Sequence, residues 1–227
     1  MAILRRTSTA KLLAVVIGFY SLSAEAQTAG GAAASAEAEA PAQSFSGDPD
    51  RPRRHFRVAN AAGLSPAEAD RTYADLRQAM AQGYARTGDP AISSYQNWTR
   101  YNTAPYASMT HGRRYVNNYA NVVAQAYGAY ENAGRLPVGS ILAKDSFVVT
   151  EDGDSRPGAL FLMEKMAPGF NYVTGDWRYS MVTAEGDLAG KTGGFGAERV
   201  EFCITCHLAR EDFDHLYFIP PAYRAKP

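Results

Sequence analysis

The sequence lacks several features that would assign a function at once. It carries no net charge, with 23 acidic and 23 basic side chains among 227 residues, so a nucleic-acid partner is not indicated. No apolar run reaches the roughly 20 residues that span a bilayer. The glycine-rich segment 190–196 (GKTGGFG) lacks the spacing of a phosphate-binding loop, which disfavours nucleotide binding.

Cysteine is also scarce, and both cysteines lie in one stretch, EFCITCHLAR (201–210), with His207 directly after Cys206. A disulfide from Cys203 to Cys206 would close a very small loop and remove little unfolded-state entropy. A zinc site needs four ligands, and only three lie together here. A thioredoxin-like redox pair belongs in a parallel-sheet layout, which the pattern does not indicate. The remaining histidines have no zinc-ribbon spacing: His55, His111 and His215.

The pattern C-x-x-C-H is typical of covalent haem attachment, in which both thiols form thioethers and the histidine binds the iron. Within one helical turn, both sulfurs and the imidazole reach the same edge of the haem. The sequence therefore predicts one covalently attached haem c. Cys203 and Cys206 are the expected anchors and His207 the expected iron ligand, with the disulfide and metal alternatives left open.

The N-terminal residues indicate export. Arg5, Arg6 and Lys11 precede or flank a short apolar run, LLAVVIGFY (12–20), and a small-x-small site follows at 24–26. This pattern predicts a secretory signal peptide over residues 1–26, a periplasmic location and no membrane span after cleavage. Residues 27–54 form a predicted flexible, low-complexity linker, because they contain few large apolar groups. Residues 55–227 are the predicted folded domain.

The folded part indicates an α+β domain. A capping box at Ser65–Glu68 predicts a helix over 66–84, and a second helix is predicted over 122–134. The fold class is a single antiparallel β-sheet meander with flanking helices and a C-terminal haem-attachment helix. The predicted strands are 114–118, 138–150, 159–166 and 177–183.

The second axial position of the iron decides between functions. A methionine there favours an electron carrier, whereas an open position favours small-ligand chemistry. The candidate methionines are Met109, Met163, Met166 and Met181.

Four segments together resemble the cytochrome P460 family over roughly residues 95–220. They are YVNNYANVVAQAYGAYENAGRLPVGSILAKDSF (115–147), PGALFLMEKM (157–166), GDWRYSMV (175–182) and FCITCH (202–207). The resemblance implies an exported, mainly β haem c protein, often dimeric, with its attachment motif near the C-terminus. Residues 55–90 are additional to it.

The resemblance implies oxidation of hydroxylamine, alone or together with nitric oxide, and a strand lysine cross-linked to the haem. Lys144 is the matching residue. Strand alternation places Lys144 in phase with Leu142 and Val148, while the opposite face is also apolar. A lysine in a strand buried on both faces needs a partner or a role, although an exposed strand lysine is the alternative. The related cytochrome c′-beta proteins lack the cross-link and bind nitric oxide or carbon monoxide.

The family enzymes also use a carboxylate as a proton acceptor on the open side of the haem. Glu164 and Asp145 are the candidates here, and Phe161 and Phe170 are candidates for an apolar wall. The expected partners are a hydroxylamine or nitrogen-oxide ligand, a soluble redox-partner cytochrome and a second copy of the chain. A binding protein for nitric oxide or carbon monoxide and a simple electron-transfer cytochrome are the alternative functions.

Overall fold

The computed structural model describes residues 50–226. The expected signal peptide (1–26) and most of the expected linker (27–54) lie outside that range. Within it, no helix is both long enough and apolar enough to cross a membrane. The described residues all belong to one compact unit.

An antiparallel sheet of eight strands forms the centre of this unit, which confirms the predicted antiparallel α+β class. The strands are β1 (Thr99–Arg100), β2 (Tyr106–Ser108), β3 (Arg114–Ala120), β4 (Ile141–Val149), β5 (Ser155–Pro157), β6 (Leu160–Lys165), β7 (Trp177–Val182) and β8 (Leu188–Lys191). Their order in the sheet is β1-β3-β4-β6-β7-β8, with β2 paired to β3 and β5 paired to β4.

The four strands predicted from the sequence are β3, β4, β6 and β7, and consecutive ones pair in the expected antiparallel order. The sequence did not reveal β1, β2, β5 and β8. Each of these has only two to four residues, and an alternating pattern needs a longer run to become visible.

Helix α1 (Pro66–Ala85) begins where the capping box predicts. The Glu68 carboxylate accepts the Ser65 N–H at 2.8 Å, and the Ser65 hydroxyl accepts the Glu68 N–H at 3.4 Å. These bonds satisfy two of the donors that a helix start leaves unpaired. The buried side of α1 packs on one face of the sheet. Two shorter helices follow in the chain, α2 (Pro90–Ser94) and α3 (Glu201–Leu208).

The predicted helix over 122–134 is not a regular α-helix. Val122–Asn132 is 3₁₀-helical, with breaks at Ala124 and at Tyr130, whose φ is 52°. The hydroxyls of Tyr127 and Tyr130 donate to backbone carbonyls 90 and 95 residues further along the chain, at 3.1 and 2.7 Å. These tertiary contacts override the local preference for an α-helix.

Both faces of the sheet are covered. On one face, Ala143 and Phe147 of β4 join the cluster that includes the buried residues of α1. On the other face, Leu142 of β4 packs in a second cluster together with Met163 and Cys203. Successive residues of β4 therefore enter two different interiors.

Asp145 lies in the interior on the α1 side and is fully buried. Its carboxylate accepts hydrogen bonds from the hydroxyls of Tyr73 and Tyr95, both at 2.9 Å, and from Asn117 Nδ2 at 3.0 Å. Burial raises the pKa of Asp145 to about 6, against the lowering effect of these hydrogen bonds. The carboxylate thus joins α1 and β3 to β4.

Replacing this carboxylate should destabilise the fold. Asp145→Ala leaves buried hydroxyl and amide donors without their acceptor, so we expect the free energy of unfolding to fall by about 3 kcal/mol. Urea denaturation at neutral pH measures the change. Asp75→Ala, an exposed aspartate on α1, should change it by less than about 0.5 kcal/mol. Equal losses in the two variants would contradict the proposed linking role of Asp145.

Candidate functional site

Helix α3 positions both cysteines and His207. Cys203, Cys206 and His207 are at positions i, i+3 and i+4, which share one face of a helix. The two thiols are free rather than joined in a disulfide. Burial raises the pKa of the Cys203 thiol to about 12. No cluster of three or more His, Cys, Asp or Glu side chains suited to a metal ion occurs within residues 50–226, so the described residues supply no zinc site.

These three residues face a cavity between α3 and the sheet. Lys144 of β4 lines the same cavity, so the structure brings together all four residues predicted to hold the haem. The volume open to the centres of water molecules is about 160 Å³. Other parts of the wall come from the sheet, the loop before β3, α3 itself, the segment before α1 and the segment after α3: His55, His111, Asn118, Phe161, Met163, Tyr179, Phe202, Leu216 and Tyr217.

His207 has a fixed orientation. Its Nδ1 lies 2.7 Å from the backbone carbonyl oxygen of His215. A carbonyl only accepts hydrogen bonds, so Nδ1 carries the proton and Nε2 keeps its lone pair. Burial lowers the pKa of His207 to about 4, which keeps the imidazole neutral. The rings of Tyr179 and Tyr217 lie 5.1 and 5.2 Å from it, centroid to centroid. This neutral, oriented imidazole is suited to binding a metal through Nε2.

The turn that supplies the His215 carbonyl is itself held by a buried ion pair. Lys165 Nζ lies 2.5 Å from Asp214 Oδ1, and both side chains are almost completely buried. Asp214 Oδ2 accepts the backbone N–H of Leu136 at 2.9 Å, and the Asp214 carbonyl accepts Trp177 Nε1–H at 2.8 Å. Asp214 and His215 have φ values of 54° and 62°, a strained conformation that needs such support.

Lys144 lies on the cavity side of β4, opposite Asn118 of β3 and Phe161 of β6 in the strand register. Within the described part of the chain, its ammonium has no hydrogen bond and no ion pair. Burial lowers the pKa of Lys144 to about 8. At neutral pH, the neutral and nucleophilic fraction of the Lys144 amine is therefore larger than that of an exposed lysine.

The two candidate carboxylates, Asp145 and Glu164, lie outside the cavity. Asp145 points to the α1 side, and Glu164 forms an ion pair with Arg178 on that same side of the sheet. Neither lines the cavity, and no other Asp or Glu lines it within residues 50–226. Phe161 is part of the wall, whereas Phe170 is not. Of the four candidate methionines, Met163 alone lines the cavity.

Two further histidines line the cavity, and the sequence did not assign them a role. His55 and His111 form part of the wall, together with Arg53 and Arg54 at its exposed rim. The scarcity of histidine was a signal for such a role, because the chain has only 4 histidines. Three of them line one cavity, and the backbone of the fourth orients His207.

The fold and the site define a class of protein, a haem protein built on an antiparallel sheet. The cytochrome P460 family model matches residues 92–218, more than half of the chain, and the chain belongs to that family. Membership implies a haem cofactor. No curated protein matches the sequence. The matched range contains Lys144 and the C-x-x-C-H motif, but neither α1 nor the segment that carries His55.

The residues of the cavity fit a haem. Two thiols and an imidazole with a free Nε2 lie on one helix face, and Arg53 and Arg54 are suited to its carboxylates. The Tyr179 hydroxyl is buried and has no hydrogen-bond partner among the described residues. An unpaired buried hydroxyl is costly, so a bound group that pairs with it is favoured.

The Lys165–Asp214 pair gives a prediction about the support of His207. Lys165→Met leaves the Asp214 carboxylate buried without its cation, so we expect the free energy of unfolding to fall by about 3 kcal/mol. The double variant Lys165→Met/Asp214→Leu should recover part of that loss, because neither charge is then buried alone. Urea denaturation of these two variants and of the single variant Asp214→Leu checks both expectations, and strictly additive losses would argue against a coupled pair.

Proposed function

We propose that the chain holds one haem c in the cavity, with Cys203 and Cys206 as thioether anchors and His207 as the iron ligand. The observation that carries the proposal is their convergence with Lys144 on one cavity. Each thioether forms when an S–H group adds across a haem vinyl group, so nothing leaves. The hydrogen bond to the His215 carbonyl aims Nε2 of His207 away from the turn and leaves it free for iron.

We further propose that the protein oxidises hydroxylamine, alone or together with nitric oxide. When bound, the haem would supply an iron with one open position that accepts electrons singly. Oxidation of hydroxylamine would remove electrons, which pass to a soluble cytochrome, and protons from its N–H and O–H bonds, which pass to solvent. The leader sequence and the family resemblance support a periplasmic location and a homodimer.

One observation favours a second candidate function, the binding of nitric oxide or carbon monoxide. No carboxylate lines the cavity within the described range, and Phe161 and Phe202 make part of its wall apolar. Such a wall suits a small neutral gas better than it suits a charged proton acceptor. The simple electron carrier has weaker support, because Met163 is the only one of the four candidate methionines that lines the cavity.

The intact mass of the protein tests haem attachment. After expression with a haem c maturation system, the intact mass should exceed that of the processed chain by one haem. The double variant Cys203→Ser/Cys206→Ser lacks both thiols and should form no thioether to the haem. The control Thr205→Ser, between the two thiols, should keep the haem. A wild-type protein without haem would overturn the proposal.

Lys144 is tested separately. A bond from Nζ to a ring carbon removes one N–H and one C–H hydrogen, and the two electrons go to an oxidant of the peroxide class. We expect the wild type to have a mass lower by two hydrogens than the simple thioether adduct and a strongly red-shifted Soret band in the ferrous form. Both features should vanish in Lys144→Met, while the haem stays attached through the cysteines.

An ordinary high-spin haem c spectrum in the wild type would contradict the cross-link and favour the gas-binding candidate. A low-spin spectrum would point to the electron carrier. Lys191→Met, a lysine of the edge strand β8 outside the cavity, is the matched control and should behave as the wild type.

A further inference from the structure

Residues 50–64, here called the strap, precede α1 and lie outside the range matched by the family model. Hydrogen bonds and an ion pair attach the strap to the sheet and its loops. The Val58 N–H donates to the Gly112 carbonyl at 2.9 Å, and Arg114 Nη1 donates to the Phe56 carbonyl at 2.7 Å. At the start of the strap, Asp50 forms an ion pair with Arg199 at 2.9 Å.

The strap approaches the loop before β3 so closely that a glycine is needed there. Gly112 has a φ of 75°, and a Cβ atom at this position would lie 2.1 Å from the Phe56 carbonyl oxygen. No other residue fits without moving the strap. This contact places His55, the neighbour of Phe56, at the wall of the cavity.

His55 and His111 form a stacked pair inside the cavity. Their ring centroids are 4.7 Å apart with an interplanar angle of 29°. Phe161 and Phe202 pack edge-on against His55, at 4.7 and 4.6 Å between ring centroids. Aromatic contacts therefore hold the His55 imidazole without using its nitrogen atoms, and Phe161 also packs against His111.

Three of the four imidazole nitrogens are left available to a ligand. His111 Nδ1 bonds to the hydroxyls of Ser108 and Thr110, at 3.0 and 3.1 Å. His111 Nε2 and both nitrogens of His55 have no hydrogen-bond partner within residues 50–226. Burial lowers the pKa of His111, and burial with the charges of Arg114 and Lys144 lowers that of His55 to about 3. Both rings are therefore neutral. His55 offers a ligand one donor and one acceptor, and His111 offers Nε2 as one or the other.

We propose that His55 and His111 form the hydrogen-bonding site for a small polar ligand at the open side of the haem. The ligand class is one that both donates and accepts hydrogen bonds, such as hydroxylamine. The inference rests on the proposed haem site. The pair takes the place expected of Glu164 or Asp145, which lie on the other side of the sheet. Thr110 is exposed, so its hydroxyl connects His111 Nδ1 to solvent and gives a released proton a way out.

The test measures ligand affinity of the full, haem-loaded chain. Hydroxylamine is titrated anaerobically against the ferric form without an electron acceptor, and Soret absorbance gives the dissociation constant. His55→Phe and His111→Phe should each weaken binding about tenfold, the equivalent of one lost hydrogen bond. Carbon monoxide donates no hydrogen bond and accepts only a weak one, so its affinity for the ferrous form should change less than about threefold.

Two matched variants sharpen the comparison. His55→Gln keeps a polar group at this position and should recover part of the lost affinity. Arg57→Lys changes an exposed strap residue outside the cavity and should leave both dissociation constants unchanged. If His111→Phe does not retain haem, the hydroxylamine affinity of His55→Phe alone tests the proposal, because His55 lies on the strap and outside the sheet.

Full haem content with unchanged hydroxylamine affinity in His55→Phe would overturn the proposal. So would a low-spin signal in the electron paramagnetic resonance spectrum of the wild type that becomes high-spin in either variant, because the histidine would then be an iron ligand. A wild type that binds no haem would instead overturn the proposed function, so the two failures can be told apart.

Discussion

Burial of the sheet on both faces is the constraint on which the rest of the structure depends. A strand in that position has no solvent side, so every polar group on it must find a partner inside the protein. Asp145 finds three, two tyrosine hydroxyls and an amide. Lys144, its neighbour in β4, points the other way and finds none among the described residues. One strand therefore carries a structural carboxylate on one face and an unpartnered amine on the other, facing the cavity.

The cavity depends in turn on support from parts of the chain that are far apart in sequence. The Lys165–Asp214 pair holds a strained turn, and the His215 carbonyl in that turn orients the His207 imidazole. Without the turn, the imidazole would be free to rotate and to exchange its two nitrogens. A site of this kind is built by long-range contacts, although its recognisable motif is local.

The family core and the strap contribute differently. Residues 92–218 contain the sheet, Lys144 and the C-x-x-C-H motif, which are the elements expected of a cytochrome P460 protein. The strap adds His55 from outside that range and stacks it on His111. The cavity therefore combines a histidine of the family range, His111, with one from the strap, His55, and no carboxylate of the described residues lines it.

The sequence by itself determined the local features: the capped start of α1, the four longer strands, the α+β class and the helix-face spacing of Cys203, Cys206 and His207. These follow from interactions between residues close in the chain, which leave a periodic pattern. Strand alternation already puts Lys144 and Asp145 on opposite faces of the sheet. Only the tertiary structure decided which face borders the cavity, and it placed Glu164 on the α1 side. Strand register and the path of the strap set that choice, because both arise from contacts between residues far apart in sequence, which no local pattern records.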